Sequence, residues 1–274
     1  WLIPDWPAPA GVKAVFTTRA GGSSSLPWSS MNLGDHVGDV PNHVDANRAV
    51  LQKAISSHPV FLKQVHGIGV EHLSHTTPNG AAADACVTTQ RGVACTIMVA
   101  DCLPVLLTST DGTAVAAAHA GWRGLAGNDG NNGKSEKIGV LEAVFTAFQA
   151  SNRPSDQSIR AQPAPEIIAW LGPCIGTKAF EVGVEVKVAF EASQPGAGQF
   201  FKATAHGKYR ADLAGLARAR LKALGIKQVY GNDSSAPWCT VSNPSRFFSH
   251  RRDAGAVSNG GNGFNTTGRM AACI

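Results

Sequence analysis

Two histidines and one cysteine, His66, Cys102 and His119, have the side chains and the sequence surroundings of a metal site. They lie in the segments QVHG, ADCLP and HAGWRG. Two imidazoles and one thiolate leave a fourth position open on zinc, which is the pattern of catalytic rather than structural zinc sites. The long separations along the chain fit ligands that a preformed fold brings together. The sequence therefore predicts a metal-dependent enzyme in which these three residues are ligands and catalytic groups.

A non-catalytic interpretation of each residue stays open. A single histidine is more often an ordinary surface or core residue, and Cys102 follows an apolar run in which a buried thiol would be usual. The neighbours favour the metal site. Asp101 could accept a hydrogen bond from a ligating histidine, and Gly121 and Gly124 could keep a turn open beside His119.

Arg19 and Arg48 are the candidate binding residues for an anion such as phosphate. Arg19 precedes a Gly21-Gly22 turn, whose backbone N–H groups could hold an anion together with the guanidinium. The alternative is a polar turn with one solvated arginine. Arg48 lies on the next predicted helix and is a second candidate.

The remaining motifs have structural explanations. Cys174, in LGPCIG, could be a second reactive thiol, but a buried cysteine in a tight turn explains it equally. Ion-paired arginines that anchor the C-terminal region explain the segments FFSHRRD and TGRMA. The six cysteines include no C-x-x-C pair, so they predict free thiols rather than a disulfide framework.

The elements that must position these residues alternate between strand-like and helix-like patterns, which predicts one α/β domain of the α+β type over residues 1–274. Strands are predicted at 12–18, 60–66, 94–107, 113–119, 167–171, 228–230 and 247–249, and helices at 44–55, 140–150, 182–192 and 212–224. The turn TDG at 110–112 predicts a hairpin. The polar, glycine-rich stretches 127–137 and 259–267 predict inserted surface loops, and the proline-rich 161–165 predicts a connector.

Charge and hydropathy exclude several classes of protein. The net charge is +5 and the pI about 9.0, but no nucleic-acid-binding motif accompanies the basic residues, and 212–224 fits a solvated amphipathic helix. No apolar run reaches the roughly 18 residues of a spanning helix, and the first residues lack the features of a signal peptide. We expect a cytoplasmic monomer that binds neither nucleic acid nor membrane.

Eleven ordered motifs resemble the YfiH, or laccase-domain, family. They are PDWPAP, TTRAGG, MNLGDHVGD, NRAVL, LKQVHG, ADCLPVLL, AAHAGWRGL, LGPCIG, FEVG, FFSHRRD and TGRMA, and they cover nearly the whole chain. The resemblance implies a single α/β domain with mixed sheets sandwiched between helices. It also implies a metal site on His66, Cys102 and His119, the same three residues that the side-chain chemistry selects.

The resemblance implies phosphorolysis of adenosine, inosine, guanosine and methylthioadenosine, together with deamination of adenosine. Zinc on the three ligands would lower the pKa of a water to about 7, as deamination requires. Arg19, with Arg48 as a second candidate, would orient phosphate toward C1′ of the nucleoside. The implied partners are therefore a nucleoside and phosphate.

Two other activities stay open. The family label of polyphenol oxidase or laccase implies copper, but the nine histidines of this chain include no H-x-H pair, so zinc suits the donor set better than copper. A role in editing peptidoglycan precursors would instead make the protein an amidase or peptidase that uses the same zinc or Cys102. The predicted insertions adjoin two of the motifs and leave substrate preference open.

Overall fold

The computed structural model describes residues 1–127, 137–152, 165–254 and 266–274. The predicted insertions 127–137 and 259–267 and the connector 161–165 fall almost entirely outside the described residues. The strands are β1 (Val15–Phe16), β2 (His58–Phe61), β3 (Val70–His72), β4 (Ala85–Thr88), β5 (Val93–Val99), β6 (Leu103–Ser109), β7 (Val115–Ala120), β8 (Ile167–Leu171), β9 (Glu181–Val182), β10 (Phe201–Ala203), β11 (Tyr209–Ala211), β12 (Gln228–Gly231) and β13 (Met270–Cys273).

Five α-helices accompany these strands in the described part of the chain. They are α1 (Pro41–Ile55), α2 (Trp122–Ala126), α3 (Val140–Ser151), α4 (Val184–Glu191) and α5 (Leu213–Ala223). Short 3₁₀ turns occur at Ala197–Phe200, Ala205–Gly207 and Ala236–Trp238, and a π-helical turn at His250–Ala254. None of the helices in the described ranges is long and apolar enough to cross a membrane.

The strands form three sheets. The largest has the order β12-β8-β6-β7-β4-β3, with parallel pairs at its two ends and antiparallel pairs between them. A four-stranded sheet has the order β1-β13-β5-β2 and contains one parallel pair. A small antiparallel sheet has the order β10-β11-β9. The prediction of mixed sheets in an α/β domain is confirmed.

The two larger sheets pack face to face between layers of helix. Leu106 and Trp170 of the six-stranded sheet share a buried cluster with Ile97 of the four-stranded sheet. The outer face of the six-stranded sheet packs against α2 to α5, whereas that of the four-stranded sheet packs against α1. Because both faces of the central strands are covered, every residue of β5 and β6 is buried.

The main error of the sequence analysis concerns the apolar run 94–107. It is not one strand. β5 belongs to the four-stranded sheet and β6 to the six-stranded sheet, and residues 100–102 cross between them. The predicted strand 247–249 is also wrong, because these residues are irregular, and β1 and β2 are shorter than predicted.

The other predicted elements are confirmed with small shifts of their ends. The hairpin is present, since β6 and β7 pair antiparallel around the predicted turn, where Gly112 has a φ of 72°. All four predicted helices form, and Asp212 caps the N-terminus of α5, since its carboxylate accepts from the N–H of Gly215. The expected solvated polar face of α5 is wrong for Arg218. Its guanidinium donates to carbonyls of β12, among them that of Val229.

Candidate metal centre

The fold brings His66, Cys102 and His119 together. Their ligand atoms lie within 4.8 Å of one another, and they form the one such group of His, Cys, Asp and Glu side chains in the described ranges. His66 lies between β2 and β3, Cys102 directly precedes β6, and His119 lies on β7. Cys102 Sγ is 3.8 Å from His66 Nε2, and the two imidazole rings meet edge to face at 4.8 Å between centroids.

Asp84, at the start of β4, orients His119. The backbone N–H of His119 donates to the Asp84 carbonyl at 2.7 Å, and His119 Nδ1 lies 2.8 Å from Asp84 Oδ1. An ionised carboxylate only accepts hydrogen bonds, so Nδ1 carries a proton, and Nε2 is the ring nitrogen that can bind a metal once it has lost the proton it carries in charged His119. A carboxylate behind a metal-binding imidazole fixes both the tautomer and the ring orientation.

The same carboxylate holds the loop that carries His66. Asp84 accepts from the backbone N–H groups of Val65 at 3.1 Å, His66 at 2.9 Å and Gly67 at 2.7 Å. Burial raises the pKa of the Asp84 carboxyl, but the hydrogen bonds from His119 and from these N–H groups lower it more, so its pKa lies below the ordinary value. One buried charge thus fixes two of the three candidate ligands.

Asp84 was not predicted from the sequence, and the prediction that Asp101 accepts from a ligating histidine is wrong. The Asp101 carboxylate instead accepts from Thr240, Ser249 and the backbone N–H of Arg251. One signal could have identified Asp84. It is a single carboxylate within an alanine-rich run that leads into a buried strand, and a buried charge needs partners.

Close approach of the backbone explains the two glycines of HAGWRG. A Cβ on Gly121 would lie 3.0 Å from Cys102 Sγ and 3.0 Å from His66 Cδ2, so a side chain there would fill the space between the ligands. A Cβ on Gly124 would lie 2.6 Å from the carbonyl oxygen of Gly67. Glycine is therefore needed because α2 starts directly against the His66 loop.

Charge within the cluster favours a deprotonated sulfur. Burial raises the pKa of the Cys102 thiol, but the positive charge of His119 and hydrogen bonds with both imidazoles outweigh that effect and lower it to about 6. Burial lowers the pKa of His119, whereas the Cys102 thiolate and Asp84 raise it, to about 9. A thiolate is the form of cysteine that binds metals.

The donor set and its spacing fit one tetrahedral metal ion. Zinc–sulfur and zinc–nitrogen bonds of about 2.3 and 2.0 Å place neighbouring S and N ligands about 3.5 Å apart in a tetrahedron. The separation between Cys102 Sγ and His66 Nε2 is 3.8 Å. His66 is exposed whereas His119 is buried, so the cluster is accessible from solvent on the His66 side.

The two predicted anion-binding arginines are engaged in other contacts. Arg19 donates to the carbonyls of Ser29 and Pro244 at 3.1 and 3.0 Å. The N–H groups of Gly21 and Gly22 both donate to Ser30 Oγ, so the predicted backbone cradle for an anion at this turn is wrong. The phosphate role of Arg19 itself stays a prediction.

Arg48 is linked to Arg269 through Leu33, whose N–H donates to the Arg269 carbonyl at 3.0 Å. Arg48 donates through Nε to the Leu33 carbonyl, and its Nη2 is 3.2 Å from the Asp35 carboxylate. Burial lowers the pKa of His36, and the positive charges of Arg269 and Arg48 lower it too, against the opposite effect of Asp35. The charge of Arg269 interacts in turn with Cys102. The sequence analysis explained Arg269 by ion pairing, but its guanidinium donates to the carbonyls of residues 267 and 268.

The fold and the cluster define an α/β domain with a His–Cys–His centre beside the crossing between two sheets. Residues 13–274 match the profile of the family described as multi-copper polyphenol oxidoreductase laccase, and the chain belongs to this family. It is the laccase-domain, or YfiH, family that the sequence motifs predict.

Similar proteins cover the whole chain. A purine nucleoside phosphorylase of Pseudomonas aeruginosa is 44% identical over 100% of this chain and 97% of its own length. Purine nucleoside phosphorylase YfiH of Escherichia coli is 43% identical, again over 100% of this chain and 97% of the relative. A crystal structure of a Neisseria meningitidis protein of the DUF152 family has a TM-score of 0.81 at 41% identity, covering 99% of this chain and 97% of that one.

We predict that Asp84→Asn weakens Zn²⁺ binding by about 10–100-fold, the usual cost of removing a partner behind a metal ligand. In the wild-type protein the N–H donors share the two carboxylate oxygens of Asp84, whereas the side chain of Asn has only one oxygen that can accept from them. Affinity is measured by competition with a chromophoric chelator on protein stripped of metal. Asp233→Asn, which changes an exposed turn carboxylate, should retain the wild-type affinity. An unchanged affinity in Asp84→Asn would contradict the role given to this carboxylate.

In protein stripped of metal, Cys102 should react with iodoacetamide as a thiolate, with a midpoint near pH 6. The rate should fall as the pH drops below 6, because protonation removes the nucleophile. Mass spectrometry of the peptide containing Cys102 follows the reaction. Cys273 is the internal control, because burial raises the pKa of its thiol to about 12. A Cys102 midpoint between 8 and 9, the range of an ordinary thiol, would show that the imidazoles do not stabilise the thiolate.

Proposed function

We propose that this protein is a zinc-dependent purine nucleoside phosphorylase whose metal is held by His66, Cys102 and His119. The observation that carries the proposal is the pre-positioned His–Cys–His cluster in a chain that is 43–44% identical to relatives named purine nucleoside phosphorylases. The arrangement has the features of a catalytic centre: three protein ligands, an open side and a buried carboxylate behind one imidazole.

Zinc is proposed over copper from the chemistry of the donors. One thiolate and two imidazoles suit zinc, and the three donors account for a single ion rather than a multi-copper cluster. Bound zinc would act as a Lewis acid and would lower the pKa of a water ligand. The chain's own residues prepare the site, because Asp84 holds the His119 imidazole and the backbone of His66, and the two imidazoles lower the pKa of the Cys102 thiol to about 6.

In phosphorolysis, a phosphate oxygen forms a bond to C1′ of the ribose while the bond between C1′ and the purine nitrogen breaks. The base leaves with the bonding electrons and takes up a proton. We propose that Arg48 binds and orients the phosphate, since it is linked through Leu33 to Arg269, a second cation, whose charge interacts with Cys102. Arg19 is the other candidate, and both guanidinium groups already have partners: Arg19 donates to two carbonyls, and Arg48 contacts the Leu33 carbonyl and the Asp35 carboxylate.

We further propose that the substrates are adenosine, inosine, guanosine and methylthioadenosine, and that the same centre deaminates adenosine to inosine. The exposure of His66 supports access of a ligand from solvent to the cluster. The alternatives are an amidase or peptidase that edits peptidoglycan precursors and a copper-dependent polyphenol oxidase. The cytoplasmic location, the monomeric state and the single-domain span of 1–274 stay predictions of the sequence.

We expect purified protein to convert inosine to hypoxanthine and ribose 1-phosphate only when phosphate is present. Adenosine should yield adenine with phosphate and inosine without it. Cys102→Ala should lose at least about 100-fold of both activities, because it removes a metal ligand outright, whereas Cys273→Ala removes a buried thiol outside the cluster and should keep them. Products are separated by liquid chromatography.

Each alternative gives a different result in this assay. If both nucleosides remain intact with phosphate and zinc, the phosphorylase proposal is wrong, and hydrolysis of a muropeptide substrate becomes the next test. Oxygen uptake with a phenolic substrate that requires added copper would favour the oxidase. Equal activities of Cys102→Ala and wild type would place the chemistry at another site.

A further inference from the structure

Asp101, the residue before Cys102, has a backbone conformation that a non-glycine residue rarely adopts. Its φ is +87°, and it lies where the chain crosses from β5 to β6 and changes sheets. Asp and Asn enter this region more readily than other side chains, but it persists only where the surroundings hold it. The contacts of Asp101 must therefore stabilise its positive φ.

Three donors from two distant segments bind the Asp101 carboxylate. Thr240 Oγ1 donates to Oδ1 at 2.6 Å. Ser249 Oγ and the backbone N–H of Arg251 donate to Oδ2 at 3.1 and 2.6 Å. Asp101 is only 8% exposed, so these hydrogen bonds replace most of its contact with water.

The segments that supply these donors are themselves fixed. The Asp101 carbonyl accepts from the N–H of Ile175 at 2.8 Å, and the N–H of Thr240 donates to the carbonyl of Cys174 at 2.9 Å. The turn after Ser249 is closed by the N–H of Asp253, which donates to the Ser249 carbonyl at 2.9 Å. Asp101 is thus the point at which residues 174–175, 240 and 249–251 meet beside Cys102.

We propose that Asp101 is a positioning residue of the metal centre. Its carboxylate locks the crossing in the positive-φ conformation that presents Cys102 Sγ to His66 and His119. This accounts for the FFSHRRD segment, whose Ser249 hydroxyl and Arg251 N–H bind Asp101. The inference rests on the metal ligands of the proposed function, but not on the identity of the substrate.

Substitutions at Asp101 separate backbone conformation from hydrogen bonding. Gly adopts a positive φ freely but offers no acceptor, whereas Asn tolerates a positive φ and keeps one acceptor oxygen. The probe is Co²⁺ alone, titrated into full-length protein stripped of metal, with the thiolate-to-cobalt charge-transfer absorption reporting coordination by Cys102. We expect Asp101→Gly to bind Co²⁺ at least about 10-fold more weakly, with a reduced charge-transfer band, and Asp101→Asn to lie between Gly and wild type.

Asp111→Asn is the matched control, because it changes an exposed carboxylate in the turn at the far end of β6 and should behave as wild type. Thermal unfolding of each stripped variant shows that it is folded. If the Asp101 variants do not fold, Ser249→Ala and Thr240→Val each remove one donor, and each should weaken Co²⁺ binding and the band by a smaller factor.

Wild-type affinity and an unchanged band in folded Asp101→Gly would overturn the inference. If Asp101→Gly fails to fold, wild-type binding by both donor variants would overturn it equally. Failure of the proposed metal site gives a different result. In that case the wild-type protein shows no thiolate-to-cobalt band, and the inference falls with its premise.

Discussion

The buried carboxylate of Asp84 is the interaction on which the rest of the site depends. It accepts from the N–H groups of the His66 loop and lies 2.8 Å from the ring nitrogen of His119 that is not needed for a metal. Sheet pairing puts it there, because Ala85 of β4 pairs with Ala118 of β7 and sets Asp84 beside His119. A buried charge without partners is strongly destabilising, so the folded chain has few ways to satisfy Asp84 other than by assembling these two residues.

The third candidate ligand depends on the architecture at a larger scale. Cys102 lies where the chain leaves the four-stranded sheet and enters the six-stranded sheet, so the packing of the two sheets sets its position. The cluster therefore forms where the chain crosses from one sheet to the other. Its two sides have different supports: Asp84 holds the histidines, and the network around Asp101 adjoins the cysteine. Gly121 leaves the space between the ligands clear.

Side-chain chemistry was enough to select His66, Cys102 and His119, and local pattern was enough to predict the hairpin and the helices, because a turn or a helix is encoded by neighbouring residues. The break between β5 and β6 could not be predicted, since strands buried on both faces read as one continuous apolar run. That Asp84, and not Asp101, lies beside His119 follows only from the register of β4 against β7, which has no local sequence signal. The anion cradle at Gly21 failed because Ser30, nine residues later, already accepts from its N–H, a contact with no local sequence signal.

X-ray absorption spectroscopy at the zinc and copper edges of protein purified without added metal, with the metal content per chain measured on the same sample, decides whether these three residues bind zinc. The account predicts close to one zinc per chain, with one sulfur and two imidazole nitrogens among its ligands, and loss of the sulfur in Cys102→Ala. Zinc bound without sulfur, or copper with the same spectrum in wild type and Cys102→Ala, would contradict the assignment of His66, Cys102 and His119 as a zinc centre.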